Sequence, residues 1–160
     1  NSSQTDAFSQ YAILKLSRGP DEEIDTLLKS CREMAQKSNL LYNRWLRAKG
    51  LSLWVNQSDH EQAFELLTEA ESLAPNNPGE ALRNLAVKHY VARESGTGDI
   101  ASIKSTLEKM AKESDEGATI WENVQSTGHF LPAPQNAKED FAYPRLDEES
   151  IRTLLANYAS

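Results

Sequence analysis

The stretch His60–Pro78, HEQAFELLTEAESLAPNNP, constrains the fold of this chain more than any other. Ala63, Leu66, Leu67, Ala70 and Leu73 recur at helical spacing, which predicts a helix with one apolar face. Pro75 disfavours α geometry at Ala74 and so predicts its end. Asn77 then reads as the N-cap of the next helix, Pro78 as its first residue and Glu80 as the acid of a capping box. Asp59 and Gln62 make a similar box at the start of the first helix. A connection this short joins helices that pack as antiparallel neighbours.

The same pattern extends along the chain. Residues 21–37 place Ile24, Leu27, Leu28, Cys31, Met34 and Ala35 on one stripe, with Pro20, Asp21, Glu22 and Glu23 read as a first turn. Residues 40–56 carry Leu41, Trp45, Ala48 and Ser52 along one face. A helix over about 78–94 turns Leu82, Leu85, Ala86 and His89 or Tyr90 inward. ESGTGD interrupts it, and Asp99 caps a further helix bearing Ile100, Ile103, Leu107, Met110 and Ala111. No alternating strand pattern is sustained, so the expected fold class is all-α.

Three stripes share one spacing: Ile24-Leu28-Cys31, Ala63-Leu67-Ala70 and Ile103-Leu107-Met110, with anchors 39 and 40 residues apart. A recurrence of this size marks a helical-repeat array, in which stacked pairs bury what one pair cannot. Ala63, Leu67, Ala70 and Pro75 resemble the second half of a tetratricopeptide repeat: small, large, small, then proline. Trp45, Ala48 and Gly50 fall near that family's Trp, Leu and Gly positions, but out of register with Ala63. Gln36 and Asp115 stand where Pro75 would recur, and the period exceeds the usual ~34 residues. The resemblance covers roughly residues 5–114. It implies antiparallel helix pairs stacked as a right-handed superhelix, with first helices lining a concave binding surface.

The expected organisation is a single domain over 1–160, with three helix pairs in 5–114 and a short helix in 115–127 burying Ile120, Trp121 and Val124. An extended segment with Pro132, Pro134 and Pro144 then occupies 128–146 and is expected to pack along the helices. A capping helix fills 147–160, with Asp147 as N-cap.

Chemistry-bearing patterns are sparse. His60, His89 and His129 are isolated and lack metal-ligand spacing, so His89 reads as a helix or core histidine. Cys31 lies on an apolar stripe, where a free thiol acts as a small hydrophobe. GTGD at 96–99 lacks the phosphate-loop pattern. Glu22/Glu23 and Glu148/Glu149 fall in first helical turns, where acids are expected on electrostatic grounds. The expectation is therefore no catalytic, cofactor or metal site. A formal net charge of −7 argues against nucleic acid, and no apolar run suits a membrane span.

The candidate protein- or peptide-binding residues are Arg44, Arg47, Asn84 and Lys88. Arg44 and Arg47 share a helix face; Asn84 and Lys88 stand about one period on, which would make a ladder of donors. The bland reading of the same residues is a solvated helix face. Tetratricopeptide grooves hold peptide carboxylates with such residues, so the resemblance implies a non-catalytic scaffold or adaptor. The alternative is a sensor, regulatory or accessory helical domain of a larger regulator or enzyme. The start NSSQTD suggests processing or excision, and with a single cysteine it leans the expected location to the extracytoplasmic side, with cytoplasmic as the alternative.

Overall fold

The computed structural model describes residues 12, 13, 15, 16, 19–73, 76–113, 115, 118, 122 and 149. Five helices are fully bounded: α1 (Glu22–Ala35), α2 (Asn39–Gln57), α3 (His60–Leu73), α4 (Pro78–Ser95) and α5 (Ile100–Ala111). The described residues contain no strand. Ala12, Ile13 and Leu16, also helical, are buried in the same core as α1–α4. Pro75, the short helix at 115–127, the extended segment at 128–146 and the capping helix at 147–160 lie outside the described residues, apart from the four single positions.

Local chemistry explains the helix ends. Asp21 is the N-cap of α1, its carboxylate accepting from the N–H groups of Glu23 and Ile24. The helix thus starts one residue later than the sequence pattern indicates, and Pro20 stands outside it. Asp59, Asn77 and Asp99 accept from the N–H groups of Gln62, Glu80 and Ser102. At Asp59 and Asn77 these are the first halves of capping boxes, whereas Asp99, with Ser102 three residues on, is a simple N-cap. At Asn77 the second half is not made, because the Glu80 side chain is engaged elsewhere. Ser58 closes α2 in the left-handed region, at φ 55°, while the Asp59 N–H reaches six residues back to the Leu53 carbonyl. This is a Schellman-type closure.

Each helix packs on the next, and α2 also packs on α4. α2 therefore has neighbours on three sides. Leu41, Trp45, Leu46, Ala48, Gly50, Leu51 and Leu53 are all buried, so its apolar surface wraps most of the helix rather than the single face read from the sequence. Trp45 pins α2 to α1: its indole N–H donates to the Leu28 carbonyl at 2.6 Å, and Tyr42 stacks on its ring. A closer approach joins α2 to α3 at Gly50, where an added Cβ would meet Leu67 Cγ at 3.1 Å and the Ala63 carbonyl oxygen at 3.3 Å. The three shared stripes point inward: Ile24, Leu28, Cys31, Ala63, Leu67, Ala70, Ile103 and Leu107 are buried, and Met110 is half-buried. Ile100 is instead exposed, one turn ahead of the contact that Ile103 makes.

The apolar interior falls into two clusters. The larger runs through α1, α2, α3 and part of α4. The smaller comprises Leu82, Ala86 and Ala92 of α4 with Ile103 and Leu107 of α5.

Candidate functional site

The contact between α2 and α4 is polar at its centre. α2 supplies Asn43, Arg44 and Arg47; α4 supplies Glu80 and Asn84. Asn43 and Arg47 are one turn apart on α2, as are Glu80 and Asn84 on α4, so two matched pairs of side chains meet across the interface. All five are buried.

Donor chemistry fixes the arrangement. A guanidinium can only donate. Arg47 Nη1 donates to Glu80 Oε2 at 2.6 Å and to Asn84 Oδ1 at 3.0 Å. The Asn84 oxygen therefore faces Arg47, and its Nδ2 donates to Asn43 Oδ1 at 2.6 Å. That leaves Asn43 Nδ2 to donate to Glu80 Oε2 at 2.9 Å, which closes a ring of four side chains. Arg44 Nε holds the other carboxylate oxygen at 2.7 Å. Burial alone would push the Glu80 carboxyl up, but Arg47 and Arg44 together override it and hold Glu80 below the usual carboxylate range. Burial also lowers the Arg47 guanidinium, against the opposing pull of Glu80. Arg47 Nε, buried, has no hydrogen-bond partner among the described residues.

Of the four residues singled out in the sequence, three are brought together, though not as a ladder of donors turned to solvent. Arg44, Arg47 and Asn84 are committed to one another's partners inside the α2–α4 contact, and they are not a solvated helix face either. Lys88 stands apart, half-buried and turned towards α3, with its ammonium 3.6 Å from Glu71 Oε1 and 3.4 Å from Thr68 Oγ1. Two members, Asn43 and Glu80, are missed by the sequence reading. Glu80 already had a local role as a helix-start acid. The signal available was a shared offset: Asn43 to Glu80 and Arg47 to Asn84 are both 37 residues apart.

A second polar group ties the start of α1 to the C-terminal half of α2. Asp25 pairs with Lys49 and accepts from Ser52. Asn56 accepts from the Asp21 N–H at 2.7 Å and donates to the Asp21 carbonyl and Ser52 Oγ. The Asn56 amide is thus engaged within the fold, although Asn56-Gln57-Ser58 matches the glycosylation acceptor pattern.

No group of metal-ligating side chains occurs among the described residues, and no described helix is long and apolar enough to cross a membrane. No family model matches the chain, and neither a curated protein nor a solved structure does.

Proposed function

We propose that this chain is a non-catalytic protein- or peptide-binding scaffold, built from tetratricopeptide-like helix pairs. The observation that carries the reading is the packing of α2 directly on α4, with α3 between them in sequence. Neighbour-on-neighbour packing plus contact between alternate helices is how stacked pairs bury a continuous core. On this reading α1, α3 and α5 are second helices, and α2 and α4 are first helices lining the binding face. The buried ring supports the face rather than contacting the partner. It fixes one alignment of α2 against α4, because a slip of either helix would strand buried charges. Lys88 is the member of the candidate set that lies outside the ring, and on this reading it would leave Glu71 and Thr68 to meet an acidic peptide.

The test is binding of the purified chain to a peptide array that includes peptides ending in a free carboxylate, with affinities measured in solution. Saturable binding that Lys88→Glu weakens while the melting temperature holds supports the reading. No saturable binding to any peptide, with the chain folded, sinks it.

A further inference from the structure

His89 is a buried histidine, 6% exposed, on the α4 stripe that faces α5. Its neighbours on that stripe, Leu82, Ala86 and Ala92, form the small apolar cluster with Ile103 and Leu107. Among the described residues this cluster joins α5 to the fold, and the main contact of α5 among the described helices is α4. The larger core includes no residue of α5, and Phe64 of α3 packs against both clusters.

The imidazole Nδ1 is buried and has no hydrogen-bond partner among the described residues. Among the described residues, the charged groups that bear on the ring are Arg93 on its own helix and Lys104 on α5, both cations. A neutral imidazole suits these surroundings. An imidazolium would add a positive charge beside these two cations, and burial penalises it further.

We propose that α5 is an acid-released element: protonation of His89 loosens the α4–α5 joint while the α1–α4 core stays packed. Burial, with Arg93 and Lys104 beside it, holds His89 below its ordinary value. The opened state takes the proton near pH ~6.5, the unperturbed histidine value. The joint therefore keeps its full support above that pH. It loses support as the pH falls from there to the lower value of the packed state, by up to about tenfold in the opening equilibrium per pH unit. Release would uncover Leu82, Ile103 and Leu107. The inference is independent of what the chain binds.

Amide hydrogen exchange of the full chain between pH 7.5 and 5, corrected for intrinsic rates, tests it. Protection in α5 is expected to fall severalfold relative to α2 below pH ~6.5, and His89→Gln is expected to remove that difference. His60→Gln should leave it in place. An equal pH response in α5 and α2, or a difference that persists in His89→Gln, overturns the proposal. Should His89→Gln fail to fold, titration of the native His89 imidazole by NMR decides: a midpoint below ~6.5 supports the proposal, and one at or above it overturns it.

Discussion

Arg47 and Glu80 meet at 2.6 Å with side chains 2% and 3% exposed, 33 residues apart in the chain. Charges taken this far out of water are held by each other, by Arg44 on the same carboxylate and by the amides of Asn43 and Asn84. Such a pair is weak evidence for net stability, since an apolar replacement of both partners can do as well. Breaking it from one side is costly. Its value here is alignment, because the ring of Asn43, Arg47, Asn84 and Glu80 closes in one register only.

Glu80→Gln should therefore destabilise the chain by about 3–5 kcal/mol, because two guanidinium groups lose their carboxylate. Denaturant unfolding reads this. The pH dependence gives a second readout. The folded-state value of Glu80 is lowered, so its contribution is present above the ordinary value of 4.5 and is lost as pH falls through the lower folded value. Acid unfolding below pH 4.5 should be shallower in Glu80→Gln than in the native chain. Equal acid limbs would show that folding does not lower the Glu80 carboxyl below its ordinary value.

The contrast between this ring and the apolar stripes shows what the sequence could reveal. Ile24, Leu28, Ala63, Leu67 and Leu107 were legible because helical periodicity and burial act on neighbouring positions. Asn77 and Asp99 were legible because a cap is a contact three residues long. Arg44 and Arg47 were not, since a charged side chain is normally solvated and its burial here depends on Glu80 on another helix. α2 was half-legible: its burial on three sides follows from where α1, α3 and α4 pack, which no local pattern contains. His89 could be placed on the inward side, but the cations beside it come partly from α5.

Asn77→Ala removes the oxygen that accepts the Glu80 N–H at 3.2 Å. The usual cost of such a loss is ~1 kcal/mol. The cap also positions the backbone from which Glu80 reaches Arg44 and Arg47. Asn77→Ala and Glu80→Gln should therefore be non-additive in a double-mutant cycle, with a coupling of at least ~0.5 kcal/mol. Strict additivity would mean that the ring holds Glu80 without help from the cap.

Ser58→Gly should stabilise the chain. Ser58 sits at φ 55°, where a side chain crowds the following carbonyl and glycine does not. Part of the gain is offset by the greater freedom of glycine in the unfolded chain, which leaves roughly 0.5–1 kcal/mol. A rise in melting temperature checks this, and Ser58→Val, β-branched at the same angle, should lower it.

The tight approach of α2 to α3 at Gly50 gives the sharpest test of the packing. At Gly50 an added Cβ would lie 3.1 Å from Leu67 Cγ and 3.3 Å from the Ala63 carbonyl oxygen, close enough that a neighbour would have to shift. Ala70 is fully buried one turn beyond Leu67 on α3. Gly50→Leu and Ala70→Leu each add methylenes to a packed contact, and each should cost about 1–3 kcal/mol. Glu61→Ala, exposed on the same helix α3, should stay within about 0.5 kcal/mol of the native chain and serves as the control. Thermal and denaturant unfolding of the three variants distinguishes a tight α2–α3 contact from a loose one. Should both leucine variants melt with the native chain, α2 and α3 would be further apart than described, and the register that aligns Ala63 and Ala70 with Ile24 and Cys31 would fall with them.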